Sequence, residues 1–344
     1  MKGFKAFEAG LICRGKQYKE NTVFEEEKAE ICESGMHFCK NPLDVLDYYP
    51  LIDDKGNFTE FAEVEALAEA KTNDDKKFCT TKLKIGAKIS FMDFIKGAFK
   101  VTYENIKNEV KEETKDTESG GYYATLAGGY YATLAGGDYA KLAGGNSATL
   151  AGGDYAKLAG GNSAKLAGGY SATLAGGYSA TLAGGDYATL AGGDYAKLAG
   201  GNSAKLAGGY YATLAGGDSA TLAGGDYAKL AGGYYATLAG GYYATLAGGY
   251  SATLAGGDYA KLAGGDSATL AGGYYATLAG GDNSVMVGDH GSKAKGKKGS
   301  VIVLVERDDD FNIVNFKAEQ VDGERIKEDV FYHLANGAFE VVEG

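Results

Sequence analysis

The sequence predicts a mainly β protein: a flat two-sheet parallel β-solenoid with 16-residue coils (two octapeptides per coil). It is capped by a small α+β N-terminal domain and a small β-rich C-terminal domain. Three observations predict this. One octapeptide is written twenty times without a gap from Tyr122 to Gly281. Ala and Leu recur two positions apart in every copy, and every copy closes on Gly-Gly. A fixed short period is the mark of a stacked repeat architecture.

With slots numbered one to eight, the unit reads Tyr/Asp/Asn, Tyr/Ser, Ala, Thr/Lys, Leu, Ala, Gly, Gly. Invariant Ala at slot three and Leu at slot five set a period of two, so both face one way on a short strand. The opposite register would bury the slot-four lysines, where an unpaired charge is costly. Leu is therefore expected inside, with slots two, four and six outside. Gly-Gly is expected to supply the positive φ of a tight corner.

Eight residues are too few to circle a core and return; two units make strand, turn, strand, turn. Twenty units give ten coils, about 48 Å at ~4.8 Å per coil. Each buried Leu contributes roughly 1.5–3 kcal/mol against ~1–2 kcal/mol of backbone entropy per residue, so stability has to be shared between coils. The charges agree with this coil length. Like charges in register repel, and along the even-numbered units slot four alternates as Lys165, Thr181, Lys197, Thr213, Lys229, Thr245, Lys261, Thr277. All seven repeat lysines sit in units that begin with Asp or Asn, which reads as charge pairing across a corner or as inheritance of duplicated unit types.

Slot two of the even units ends in Tyr195, Tyr211, Tyr227, Tyr243, Tyr259 and Tyr275. Stacked coil on coil, these form an exposed ladder and are the candidate interface. The opposite row is broken by serines. The alternative is that Tyr merely suits a strand.

The unit Tyr-Tyr-Ala-Thr-Leu-Ala-Gly-Gly (122–129) resembles the octapeptide of bacterial ice-nucleation proteins, Tyr-Gly-Ser-Thr-Leu-Thr-Ala-Gly, in its Tyr, Thr, Leu and last Gly. That resemblance implies the same 16-residue-coil solenoid. The outward Thr-x-Thr pair of that family is Thr-Leu-Ala or Lys-Leu-Ala here, so the architecture carries over and ice binding is disfavoured.

The chain has 344 residues, 56 Gly, two Pro, no Trp and a formal net charge of −11. The repeats contribute −1 and the flanks −10. An acidic chain argues against direct nucleic-acid binding. The N-terminus Met1-Lys2-Gly3-Phe4-Lys5 begins no apolar signal region, and no run approaches membrane length. The expectation is a cytoplasmic protein with no membrane contact and with Cys13, Cys32, Cys39 and Cys79 reduced.

Residues 1–119 read as an α+β domain. Strands are expected over Gly3–Cys13, Phe61–Glu69 and Phe78–Ile89. A short helix is expected over Asn41–Tyr49 with Pro42 in its first turn, and a capped helix from Ser90 to Val110. Lys111–Ser119 reads as a charged tether. Cys13, Cys32, His37 and Cys39 offer three sulfurs and an imidazole, but Cys-x6-Cys is not a zinc spacing and buried free Cys is common; no metal, cofactor or catalytic residue is assigned. The run Cys13-Arg-Gly-Lys-Gln-Tyr18, Cys32-x-x-Gly35-Met-His37-Phe-Cys39, Pro42-Leu-Asp-Val45 and Tyr48-Tyr49 resembles an uncharacterised domain of bacterial and prophage proteins that often carry octapeptide repeats. It implies a phage or prophage setting and brings no activity.

The solenoid is expected over 120–297, its last two units degenerate, with Met286 and Ala294 in the Leu slot. Lys293, Lys295, Lys297 and Lys298 read as a solvated edge that blocks strand addition, or as a phosphate-attracting cluster. Residues 298–344 form the C-terminal cap, with strands Val301–Glu306, Ile313–Gln320 and Ala338–Val342. The function expected is a non-enzymatic structural or binding protein that self-associates as a homo-oligomer (a dimer) or binds a host protein. The alternative is a phage-encoded inhibitor of a host defence protein with the solenoid as scaffold. No catalytic constellation is present.

Overall fold

The computed structural model describes residues 1–31, 33–49, 59–74, 76–89, 93–94, 101 and 117–342. It divides into two compact units, Met1–Val101 and Thr102–Gly344.

The first unit is an antiparallel sheet. Its strands are β1 (Lys2–Phe7), β4 (Thr22–Glu25), β5 (Met36–Cys39), β6 (Glu60–Ala66), β7 (Ala70–Thr72), β8 (Lys77–Thr80) and β9 (Lys82–Ile89), in the order β4-β9-β6-β1-β5-β8-β7. β2 (Ile12–Cys13) and β3 (Lys16–Gln17) form a separate small hairpin. β1 is the middle strand of seven and is buried on both faces from Gly3 onward. The strand expected over Gly3–Cys13 therefore stops at Phe7, and the one over Phe78–Ile89 breaks at Thr81 into two strands that part company, β8 pairing with β5 and β7, and β9 with β4 and β6. The helix expected over 41–49 is a single turn, α1 (Pro42–Val45), whose N-cap Asn41 Oδ1 accepts from the Leu43 amide at 3.0 Å. The helix expected over 90–110 lies largely outside the described residues; Phe94, within it, is buried and stacks on Phe61 at 3.8 Å.

The second unit is the solenoid. Strands β10 (Thr117–Ser119) to β32 (Lys293–Lys295) alternate between two sheets, and each but β32 pairs in parallel with the strand sixteen residues on. Thr117–Ser119 thus opens the even sheet, where the sequence suggested tether. Leu pairs with Leu at every rung of the repeat, as in Leu166↔Leu182 and Leu190↔Leu206. From Leu134 onward the slot-five leucines are 2% exposed or less, and together with the slot-three alanines they form one continuous core. One lysine–lysine rung occurs, Lys141↔Lys157; Lys165, Lys197, Lys229 and Lys261 each pair with a threonine. The sixteen-residue coil is what keeps them apart.

The corner is built otherwise than expected. The strand covers slots four to six, and in four-residue strands slot seven as well. Positive φ falls on slot two, in all twenty units: 60° at Tyr187, 58° at Tyr195, 55° at Ser203. None of the forty repeat glycines has positive φ. They are there for space. A Cβ on slot-seven Gly200 would stand 2.6 Å from the Ala204 Cβ and 2.8 Å from Leu206 Cδ1. One on slot-eight Gly225 would stand 2.9 Å from the Gly209 carbonyl carbon of the coil below. Slot two is accordingly a corner residue, not a strand residue with its side chain on a sheet face. The degenerate units that follow place Asn283 (55°), Gly291 (72°) and Gly299 (82°) at that slot, residues that take this conformation at little cost.

The two outer faces differ. Slot-six Ala is exposed on the odd sheet, as at Ala175, Ala191 and Ala207, whereas Ala167, Ala183, Ala199 and Ala231 on the even sheet are fully buried.

At the C-terminal end both sheets switch to antiparallel pairing. β33 (Val301–Arg307) continues the odd sheet with Ile302 in the Leu slot, and β34 (Ile313–Gln320) folds back on it. β35 (Tyr332–Ala335) pairs with β32, and β36 (Ala338–Val341) with β35. The expected lysine-blocked edge is therefore occupied: Lys293 and Lys295 both lie over the Phe331 ring at 5.1 Å. Opposite Leu304 and Ile302, β34 places Lys317 and Glu319, 3.5 Å apart, over the end of the core. A charged pair there blunts an edge that would otherwise template further strands.

Two substitutions test the corner. Gly200→Ala should lower stability by about 1–3 kcal/mol through overpacking, read as a fall in the thermal midpoint. Ser203→Asn should leave it unchanged or raise it. A harmless Gly200→Ala would contradict the packing role.

Candidate functional site

Two features of the described residues carry chemistry: the aromatic corner of the even sheet and a cavity in the N-terminal sheet.

The corner is tied down by slot one. All eleven Asp and Asn residues there accept, through Oδ1, the backbone N–H of the slot-one residue one coil on, at 2.7–3.1 Å. Asp226, for example, takes the Tyr242 amide at 2.9 Å. That carboxylate oxygen serves the stack, a role the charge-pairing reading of the Asp–Lys units did not anticipate.

On the even corner the six tyrosines singled out from the sequence stand in one column. Successive ring centroids, from Tyr195 through Tyr211, Tyr227, Tyr243 and Tyr259 to Tyr275, are 5.4, 4.8, 5.3, 4.9 and 5.3 Å apart with planes within 14°. Five of the six are 38–50% exposed. The sequence reading missed a second row. Slot-one Tyr210 and Tyr242 stand edge-on to Tyr211 and Tyr243 at 4.5 Å, and Tyr178 lies 5.2 Å from Tyr195. Its signal was available: even-unit slot one runs Tyr178, Asp194, Tyr210, Asp226, Tyr242, Asp258, Tyr274. Packing against the ladder and hydrogen bonds to Tyr211 and Tyr243 hold the Tyr210 and Tyr242 hydroxyls above the usual phenol range, so both are neutral at physiological pH. The row is prolonged by Phe311, 69% exposed and 6.2 Å from Tyr274, while Arg307 lies over Tyr274 and pairs with Asp289 at 2.7 Å. The opposite corner is broken, as expected: Tyr139 and Tyr155 stack at 4.9 Å, but Ser171, Ser203 and Ser219 interrupt the column.

The cavity, about 480 Å³, opens beside β1 and β5. At its wall is Lys5, 3% exposed on the central strand. Its Nζ donates to the His37 carbonyl at 2.9 Å and to Cys13 Sγ at 3.4 Å, and lies 5.5 Å from the centroids of Phe7 and Tyr18. Burial lowers its pKa, partly offset by Cys13. Cys13 Sγ also meets the Tyr49 hydroxyl at 3.0 Å. His37 is pulled down to about 4 by burial and then by the positive charges of Lys77, Lys5 and Arg14. Cys13, Cys39 and Cys79 are buried; Cys32 lies outside the described residues. Among the described residues no three His, Cys, Asp or Glu side chains group as metal ligands, and an ammonium against Cys13 Sγ opposes a divalent cation at that sulfur.

Residues 1–97 match a family model described as a domain of unknown function (DUF7666). The first unit is thus similar to that family; the solenoid lies outside the match. Searches of curated proteins and of solved structures returned no match. Among the described residues no helix is long and apolar enough to cross a membrane.

His37 yields a pH prediction. Neutral in the fold and near 6.5 when unfolded, it binds a proton in the unfolded chain first, so stability falls as pH drops from about 6.5 to about 4. NMR titration should give a midpoint near 4, and His37→Gln should flatten the fall in melting temperature over that window. A midpoint near 6.5 would contradict the burial.

Proposed function

We propose that this protein is a non-enzymatic binding protein, and that its even-corner tyrosine rows hold a protein partner, in the first place a second copy of the chain. The observation that carries this is the ladder's placement. Twelve tyrosines sit at slot two with left-handed backbone, a conformation costing a non-glycine residue roughly 1 kcal/mol or more. Serine takes the same conformation at that slot in eight units, so the fold does not depend on a ring there. What the tyrosines add is a row of exposed, pre-ordered aromatic surface, the composition of interface anchors.

Slot one favours a second copy. Tyr and Asp alternate there with a period of two coils. Two copies packed antiparallel and offset by one coil, ~4.8 Å, set three of the four Tyr hydroxyls of this row against partner carboxylates, and an antiparallel pair is a closed two-fold contact. The even sheet's buried outer alanines leave the corner rows and the odd face available. The resemblance of the N-terminal residues to a domain of bacterial and prophage proteins is what suggests a phage or prophage setting.

Light scattering on the full chain and on the variant with Tyr195, Tyr211, Tyr227, Tyr243, Tyr259 and Tyr275 all changed to Ser tests this. Ser occupies the same slot in eight units, so the variant should keep its circular dichroism. A dimer becoming a monomer is expected; the same mass for both would reject the ladder as the contact.

A further inference from the structure

The N-terminal cavity holds two polar groups that the sheet itself leaves incompletely used. Lys5 is the more telling. An ammonium has three N–H donors; two are taken, by a carbonyl and a thiol, and among the described residues no carboxylate pairs with it. A buried cation without a counter-charge is costly. The second is Ser34 Oγ, the one buried side-chain oxygen or nitrogen without a partner among the described residues, and Ser34 lines this cavity too. Such an orphan calls for an explanation.

The surroundings narrow the chemistry. Arg14 and Lys77 also line the cavity, and Lys77 lies 4.6 Å over the Tyr48 ring. The acids on the lining are Glu8, Glu26 and Glu33; Glu26 is neutralised by Lys16 at 2.7 Å. Tyr18, Tyr48 and Tyr49 supply flat walls. The volume, about 480 Å³, falls in the range of small-molecule sites, which combine apolar walls with few polar groups.

We propose that this cavity binds a small organic anion, a planar ring carrying a phosphate or carboxylate, with Lys5 as counter-charge, Ser34 as a hydrogen-bond partner and the tyrosines against the ring. Burial draws the Lys5 amine down; an anion beside it acts the other way and favours the ammonium. His37, held neutral by burial and then by three nearby cations, reports the same event, because a bound anion offsets their field. The site is independent of the tyrosine ladder and of any self-association.

Calorimetry and NMR on the full chain test this with four probes: adenosine 5′-monophosphate, adenosine, benzoate and inorganic phosphate. Adenosine monophosphate, benzoate or both should bind, adenosine at least tenfold more weakly, and the His37 midpoint should move up on binding. Which of the two binds distinguishes phosphate from carboxylate. Lys5→Met, isosteric and free of buried charge, should weaken binding tenfold or more, and Ser34→Ala several-fold, with unchanged spectra elsewhere. Binding of none of the probes, equal binding of adenosine, inorganic phosphate binding as well as the ring-bearing anions, or full affinity in Lys5→Met would each overturn the site.

Discussion

The solenoid rests on a close approach. At each corner the chain passes within van der Waals distance of the coil below and of the alanine and leucine ahead of it, and two glycines are what make room. With that spacing, slot-eight amides bond to the slot-eight carbonyls of the coil before, as Gly209 does to Gly193 at 3.2 Å, and the leucines fall into register. The left-handed residue then turns the chain, and Asp or Asn at slot one ties the turn to its neighbour. Each of these contacts is small. Their strength lies in repetition, since a coil buries its leucines only against the coils on either side.

From this geometry the surface follows. A corner residue projects from the edge of a flat stack at the coil spacing, close to the separation aromatic rings adopt when they stack. Tyrosine at slot two therefore makes a column, and tyrosine at slot one flanks it edge-on. The same residues on a strand would lie across a sheet face, beside Thr and Lys. The corner gives them one uninterrupted border, closed at the C-terminal end by Phe311 and the Arg307–Asp289 pair.

Much of the solenoid was legible in the sequence: the inward leucine from the Ala-x-Leu alternation and the coil length from the lysine spacing. The corner was not. Gly-Gly has two meanings, conformational freedom and small size, and only the position of the alanine one turn ahead decides between them. Asn283, Gly291 and Gly299 did carry the answer, because degenerate units relax to residues that suit the left-handed conformation. In the N-terminal sheet, nothing in the sequence sets Lys5 apart from Phe4 and Ala6 on either side. Its burial follows from β1 being the middle strand of seven, and pairing order cannot be read from one strand. The Cys13, His37 and Cys39 cluster was noticed for its sulfurs, while the group that organises it is an amine from another strand.

Disulfide trapping across the odd corner tests the coil most directly. Ser203 and Ser219 are sixteen residues apart, at slot two of adjacent coils, and Ser171 and Ser203 are thirty-two apart. Stacked coils put the first pair at ~4.8 Å, within the Cα range a disulfide spans, and the second at about twice that, beyond it. With Cys at each pair, peptide mapping after mild oxidation should find an intramolecular 203–219 bond and no 171–203 bond. Absence of the first, or equal yields of the two, would contradict a sixteen-residue coil with slot two at its corner.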